Sequence, residues 1–354
     1  MKQPIYTGTW GRGTCHIQGI AVDEEKGYIY YSFTTKLIKS TLDGVVVGSV
    51  DGLMGHLGCI AYNRQDGRVY GSLEYKNDVI GKNILSSLGS SSQLEDAFYI
   101  VMFDVDKIDR MDMDAEKDGI MTSVYLREVV EDYNGTGLDR QGNVVPHRYG
   151  CSGIDGTTFG PMFGAPADAK QYLFVCYGVY SDLSRDDNDH QVILCYDTEG
   201  WSKYETPLSQ TAMHKNGPER PTEKLFVFTG NTNWGVQNLE YDPYKRAYFM
   251  AVYYGKKEKY PNYHLYAADA QAAPVVQKLQ GLNEEGKVVQ LLQAGSLDQK
   301  TGIRGWRFPH GATGLAACGD GRYYISENHM TKSGQCGIIY QYVWDDKEAF
   351  VLAD

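Results

Sequence analysis

The chain has 354 residues, with 34 Lys or Arg against 45 Asp or Glu, which gives a net charge of -11. A hydrophobic fraction of 42% with 28 Tyr excludes a disordered chain, and the negative charge without a Lys/Arg block argues against nucleic acid or an anionic membrane as partner. No apolar run is long enough to span a membrane and residues 1–11 lack signal-peptide features, so we expect a cytoplasmic protein, or a secreted one if a leader was removed.

An internal repeat runs along the whole chain. Its copies cover residues 16–32, 56–72, 150–177, 235–251 and 310–326. In three of them a histidine, His16, His56 or His310, lies 11 residues before a glycine and 16 before a serine. The copy at 150–177 is looser and contains an insertion, and the copy at 235–251 has Gly235 in place of the histidine.

Each copy reads as strand, turn, strand, and is followed by one or two further strand-like runs. Five units result, at approximately 14–54, 55–146, 147–222, 223–286 and 287–354. This pattern predicts an all-β fold, a five-bladed β-propeller with four-stranded antiparallel blades around a central channel, and one domain over residues 1–354. A β-sandwich or β-helix is the alternative. Helical periodicity is almost absent, and Asp106 to Lys117 is the main candidate for a short exposed helix.

The predicted fold places the repeat histidines together. In a propeller the start of the first strand and the end of the second strand of each blade share one rim of the channel. His16, His56 and His310 therefore lie at the channel mouth on three consecutive blades. Three imidazoles there could hold Zn²⁺ or Mn²⁺, could act as general acid and base, or could simply hydrogen-bond channel water.

Two carboxylates, Glu74 and Glu327, lie at nearly equivalent rim positions, and glycoside hydrolysis requires two carboxylates flanking the sugar. Arg148 is expected to bind a substrate carboxylate or hydroxyl. The other residues predicted to contact substrate at this rim are Trp234, Trp306, Asn233, Gln237, Tyr180 and Arg304, and Trp10 and Arg12 enter at the same rim. The acidic run Asp186 to Asp189 is interpreted as an exposed loop, with bound Ca²⁺ as the alternative. No dinucleotide or phosphate-loop motif occurs, so no organic cofactor is expected.

The repeats, of the form His16-Ile-Gln-Gly-Ile-Ala followed by Gly27-Tyr-Ile-Tyr-Tyr-Ser32, resemble those of five-bladed β-propeller proteins. Proteins of similar build include arabinanases, fructan hydrolases and the lectin tachylectin. Those hydrolases carry an Asp at the start of the first inner strand, where this chain has Cys15-His16, so their catalytic residues cannot be carried over. The His-, Tyr- and Arg-rich rim is similar to that of seven-bladed polysaccharide lyases, which abstract a proton next to a uronate. Other segments resemble uncharacterised bacterial proteins.

These observations predict a carbohydrate-active enzyme, either a lyase or a glycoside hydrolase, that acts on a small molecule or oligosaccharide. Its cofactor would be a divalent metal, Zn, Mn or Ca, held by the three histidines. The alternatives are a non-catalytic glycan- or protein-binding propeller and a metal-dependent hydrolase of a small ester or lactone.

Overall fold

A computed structural model describes residues 5–8, 16–92, 95–331 and 334–353. Trp10 and Arg12, which the sequence places at the rim, lie outside these residues. Two α-helices occur in the described chain, α1 (Val79–Ser87) and α2 (Arg127–Asn134). No helix in these ranges is long and apolar enough to cross a membrane.

The remaining regular structure is almost entirely β. The strands, in chain order, are β1 (Ile5–Gly8), β2 (Ile17–Asp23), β3 (Tyr28–Phe33), β4 (Lys36–Thr41), β5 (Val46–Asp51), β6 (His56–Asn63), β7 (Arg68–Tyr75), β8 (Ala97–Phe103), β9 (Met113–Asp114), β10 (Met121–Tyr125), β11 (Thr136–Leu138), β12 (Val144–Pro146), β13 (Cys151–Pro161), β14 (Gln171–Val179), β15 (His190–Tyr196), β16 (Thr206–Pro207), β17 (Glu223–Phe228), β18 (Thr232–Asp242), β19 (Ala247–Tyr254), β20 (Leu265–Asp269), β21 (Val275–Lys278), β22 (Glu285–Val289), β23 (Ser296–Leu297), β24 (Arg304–Gly305), β25 (Leu315–Ala317), β26 (Arg322–Thr331), β27 (Gly334–Asp345) and β28 (Ala349–Leu352).

Five sheets, antiparallel apart from the β5–β9 and β17–β22 pairs, form the blades of a ring. Their successive inner strands β2, β6, β13, β18 and β25 pack side by side, and β25 returns to β2. In the last blade the amino-terminal strand β1 pairs with β27, so the two ends of the chain share one sheet. The prediction of a five-bladed β-propeller is confirmed.

The repeated residues stabilise this ring. The tyrosine three residues after the repeat glycine is buried in the three copies that carry the histidine, as Tyr30, Tyr70 and Tyr324. The repeat serine joins neighbouring blades, because the Ser32 hydroxyl donates to the carbonyl of Gly58 and the Ser72 hydroxyl donates to the carbonyl of Asp155. The repeated tyrosines and serines therefore contribute to packing within and between the blades.

Two details of the sequence interpretation are wrong. Residues 223–228 form β17 and pair with β15, so they belong to the third blade and not to the fourth. The segment from Asp106 to Lys117 is not an α-helix, because Asp112 has φ 59° and residues 113–114 form β9, which pairs with β5.

The run from Asp186 to Asp189 is not simply an exposed loop. Asp187 and Asp189 are 2% and 1% exposed. Asp187 accepts two hydrogen bonds from the guanidinium of Arg185, and Asp189 pairs with the ammonium of Lys257. Internal cations thus neutralise these carboxylates, which explains their burial without a bound ion.

Candidate functional site

A β-bulge at the same place in four inner strands positions the candidate site. In each of these strands the pairing with the second strand of the blade shifts register after one residue. The four residues before the shift are Ile17, Leu57, Ile154 and Val236, and their partners occupy equivalent positions in the second strands. A β-bulge changes the direction in which the side chain of its extra residue points. The residues that follow the four slip positions are Gln18, Gly58, Asp155 and Gln237.

Two further rings of equivalent residues flank the bulges. The residues before the slip positions are His16, His56, Gly153 and Gly235, and those at the ends of the second strands are Thr34, Glu74, Gly178 and Tyr253. The last four line one cavity of about 460 Å³, together with His16, His56, Gln18, Asp155 and Gln237. The upper cavity, as we call it, is therefore built by the first four blades.

Glu74 is held rigidly in the upper cavity. Its Oε1 lies 2.5 Å from Nζ of Lys76, and its Oε2 accepts the backbone N–H of Ile154 at 3.0 Å. Lys76 also donates to the carbonyl of Ser152 at 2.7 Å. A Cβ at position 153 would lie 1.8 Å from Oε2 of Glu74, so Gly153 leaves the space that this carboxylate fills. Burial raises the pKa of Glu74, and the charge of Lys76 opposes that effect.

Asp155 has a different environment. Its Oδ2 accepts a hydrogen bond from Nε2 of Gln237 at 3.0 Å, and its Oδ1 would lie 2.2 Å from a Cβ at position 58, so it lies against Gly58. Burial, and then the negative charge of Glu74, raise the pKa of Asp155 well above its usual value. Asp155 is therefore the carboxyl group of the cavity that keeps a proton most readily.

The two histidines of the upper cavity differ in their polar contacts. Burial, and then the positive charge of Lys76, lower the pKa of His56 to about 3. Nδ1 of His56 lies 3.7 Å from Oε1 of Glu74. Nδ1 of His16 lies 2.7 Å from the carbonyl oxygen of Ile17, which leaves Nε2 as the other polar atom of that ring.

Aromatic and aliphatic side chains form the wall around the mouth. Trp234 lines the cavity with φ 68°, an unusual conformation for a bulky residue, and its carbonyl accepts Nε2 of Gln237 at 2.9 Å. The ring of Tyr180 packs edge-on against Trp234 at 5.7 Å. Helix α1 contributes Ile80 and Ile84.

Asn238 closes the channel below the upper cavity. Its fully buried amide donates to the carbonyls of Gln18 at 2.8 Å and Ala312 at 3.0 Å, and its Oδ1 lies 3.4 Å from Sγ of Cys59. A second cavity of about 480 Å³ opens at the other end of the channel and shares no described lining residue with the first. We call it the lower cavity. It contains Glu240, whose pKa burial raises to about 8.

The predicted pairing of Glu74 with Glu327 is wrong. Glu74 follows the repeat serine Ser72 by two residues, whereas Glu327 follows Ser326 by one. A shift of one residue turns a strand side chain to the opposite face. Glu327 accordingly lies 3.4 Å from Nδ1 of His310, outside the upper cavity, and Asn328 is the true equivalent of Glu74.

The three repeat histidines do not converge. His310 precedes β25 by five residues and packs against Phe308, so it does not line the upper cavity with His16 and His56. Among the described residues, no group of three His, Cys, Asp or Glu side chains is arranged to hold a metal ion.

Trp306 is not displayed at the rim. It is 3% exposed and packs against Trp344 at 5.8 Å and Phe249 at 6.4 Å, in the core between the last two blades. The indole is therefore not accessible to a substrate at the rim.

The predicted arginines also lie away from the upper cavity. Arg148 pairs with Glu284 at 2.7 Å, and Arg304 lines a separate hollow and donates to the carbonyl of Gly295 at 3.4 Å. Asn233 and Tyr180 lie beside the cavity wall, and Gln237 lines the cavity itself.

Sequence reasoning missed Asp155, although a signal was present. Aligning the third repeat on Gly150 displaces it by three residues, because Gly153 is the structural equivalent of His16 and His56. An alignment of the third repeat that begins at Gly153 places Asp155 at the position of Gly58 and Gln18. That alignment predicts an acidic side chain that faces the channel.

Comparison with family models and with curated proteins finds no match. Among solved structures, the chain is similar to the holo form of the PQQ domain of pyranose dehydrogenase from Coprinopsis cinerea, with 14% identity, 92% of this chain and 82% of that chain covered, and a TM-score of 0.35. It is also similar to a calcium structure of a Trichoderma reesei carbohydrate-active enzyme of family AA12, with 11% identity, 91% and 80% covered, and a TM-score of 0.34. The Cps50 (Swd1) β-propeller domain from Myceliophteria thermophila has 9% identity, 91% and 82% covered, and a TM-score of 0.36.

Proposed function

We propose that the upper cavity is the active site of a glycoside hydrolase, in which Asp155 is the general acid and Glu74 the ionised carboxylate. The observation that carries this proposal is the contrast between two buried carboxyl groups in one cavity. Glu74 has an ammonium at 2.5 Å and a backbone donor, whereas Asp155 has an amide donor and a neighbouring negative charge. Such contrasts separate an acid from a base among carboxyl pairs.

The roles follow from these environments. Asp155, protonated, gives its proton to the glycosidic oxygen as the bond from that oxygen to the sugar carbon breaks. A water molecule then forms the new bond to that carbon and gives a proton to the Asp155 carboxylate, which restores the acid. Glu74, ionised, faces the positive charge that develops on the sugar ring. Gln18 and Thr34, joined by a hydrogen bond of 2.9 Å, offer polar atoms to sugar hydroxyls, and Trp234 offers a ring face.

A lyase reaction on a uronate is less well supported. It needs a cation to neutralise the substrate carboxylate and a base to remove the neighbouring proton. Lys76, the one Lys or Arg among the described residues lining the cavity, is already occupied by Glu74 and by the carbonyl of Ser152. His56, whose pKa is lowered to about 3, is a weak base.

The test is hydrolysis of a panel of methyl and nitrophenyl glycosides of common hexoses and pentoses. We expect the wild-type protein to release at least one sugar from its methyl glycoside, whose poor leaving group needs a proton, and Asp155→Asn to release that sugar about 100-fold or more slowly. Glu240→Gln is the matched control, because it replaces another buried carboxyl of raised pKa, in the lower cavity. If no glycoside is cleaved, or if Asp155→Asn is as active as the control, the proposal is wrong. Calorimetric binding of glycosides without cleavage would support the glycan-binding alternative.

A further inference from the structure

Helix α1 presents a continuous stripe to the upper cavity. Ile80, Asn83, Ile84 and Ser87 all line it, and their spacing of three and four residues places them on one face of the helix. Ile84 is 6% exposed, whereas Val79 on another face of the same helix is 73% exposed. The stripe is apolar near Ile80 and Ile84 and polar at its other two positions.

The helix lies directly against the carboxylate site. Ile80 and Ile84 share a crevice of only about 10 Å³ with His56, Glu74 and Lys76. The same side chains also line the upper cavity. The apolar wall and the reacting groups therefore belong to one compartment.

Two local features fix α1 in this position. The side chain of Asp78 caps the helix by accepting the N–H of Gly81 at 2.9 Å. Gly81 also lets the helix approach the preceding strand, because a Cβ there would lie 1.8 Å from the carbonyl oxygen of Lys76. The wall is thus tied to the chain segment that carries Glu74 and Lys76.

The two ends of the upper cavity differ in polarity. The end toward Asn238 carries Gln18, Asp155 and Gln237, while the mouth carries Trp234 and the apolar Ile80 and Ile84 of α1, beside the exposed Asn83 and Ser87. A pocket closed at its base admits a terminal sugar, so whatever is attached to that sugar must extend toward the mouth. A volume of about 460 Å³ is that of a site for a small ligand rather than a polymer.

We propose, on the basis of the hydrolase function proposed above, that the substrate is a small amphipathic glycoside. Its sugar occupies the polar base, and its leaving group is an apolar alcohol that lies under Ile80 and Ile84. Burial of methylene groups against these side chains supplies binding free energy that a methyl group cannot.

The experiment compares methyl and n-hexyl glycosides of the sugar that the wild-type protein cleaves. Both release an unactivated alcohol, so the comparison varies apolar contact and leaves the chemistry of bond cleavage nearly constant. We expect kcat/KM to be about tenfold or more higher for the hexyl glycoside, from burial of a few methylene groups.

Ile80→Asn and Ile84→Asn should reduce that preference toward unity, whereas Val79→Asn should keep it. Ile80 is half-buried, so its variant keeps the test available if Ile84→Asn fails to fold. If glycosides are cleaved but wild-type protein treats methyl and hexyl glycosides alike, this inference is wrong and the hydrolase proposal stands. If none is cleaved, both are wrong.

Discussion

Asp155 and Gln237 act as a pair at the scale of single residues. Both of the hydrogens on Nε2 of Gln237 are used, one toward Oδ2 of Asp155 and one toward the carbonyl of Trp234. Because Oδ2 of Asp155 accepts the hydrogen bond from Gln237, the other carboxyl oxygen, Oδ1 beside Gly58, is the one available to carry the proton. Gln237, predicted from the sequence to contact substrate, is thus placed to position the acid as well.

Gln237→Met should change the pH dependence of hydrolysis. The Gln237 hydrogen bond lowers the pKa of Asp155, so its loss raises that pKa further. A general acid must be protonated, and activity is lost as pH rises through its pKa, so the alkaline limb of kcat/KM should move to higher pH. Gln18→Met is the control, because its amide bonds Thr34 and not a carboxyl group. An alkaline limb that is identical in wild type and Gln237→Met would contradict the pairing.

Glu240 should make stability depend on pH. In the folded protein burial raises its pKa to about 8, while unfolding returns the pKa to the ordinary value of 4.5. The folded state therefore holds one more proton between these values, and this contribution to stability is lost as pH rises from about 4.5 to 8. Urea unfolding across that range should show a flatter profile for Glu240→Gln than for wild type. Parallel profiles would mean that Glu240 is not buried as described.

At the scale of elements, the repeat predicted the positions of the strands. It did not predict which side chains face the channel where the register differs by one residue. His16 and His56 lie at the starts of the inner strands β2 and β6, as the repeat predicted, whereas His310, at the same spacing from its repeat serine, precedes β25 by five residues. Glu327 was misplaced because an offset of one residue reverses the face of a strand. Asp155 was missed because an insertion and a bulge obscure the third repeat.

Helix α1 was not predicted either. Its nine residues are too few to give a strong periodic signal, and it is held by the buried side chain of Ile84 and by the cap at Asp78. No composition rule would place this segment above the channel.

Gly81→Ala should displace α1. The added Cβ would overlap the carbonyl oxygen of Lys76, which is backbone and cannot move freely. We expect a loss of about 1–3 kcal/mol in the free energy of unfolding and a higher KM for the hexyl glycoside. Ser86→Ala, at an exposed position of the same helix, should change neither quantity. Equal stability and KM for the two variants would contradict the close approach.

At the scale of the whole molecule, the repeat predicted the ring but not how the channel is divided. Asn238 of the fourth blade joins the first and fifth blades through the carbonyls of Gln18 and Ala312. The same contacts separate the upper cavity from the lower one. No repeat position marks Asn238, because its role depends on strands that are distant in sequence and meet only after the ring closes.

Asn238→Ala should destabilise the protein. Two buried carbonyl groups lose their donor, and each unsatisfied buried group costs about 1–3 kcal/mol. Chemical unfolding should show this loss, and Asn233→Ala, at a half-buried position of the same strand, should show much less. A stability of Asn238→Ala equal to that of the Asn233 variant would mean that the blades do not depend on this contact.

The dependence of the Asp155→Asn defect on the leaving group tests the hydrolase account most directly. A general acid matters most for a poor leaving group such as an alkyl alcohol and least for nitrophenol, which leaves without a proton. We predict that Asp155→Asn lowers kcat/KM for the methyl glycoside by about 100-fold or more and for the nitrophenyl glycoside of the same sugar far less. Equal losses on both substrates, or no loss on either, would contradict the assignment of Asp155 as the acid.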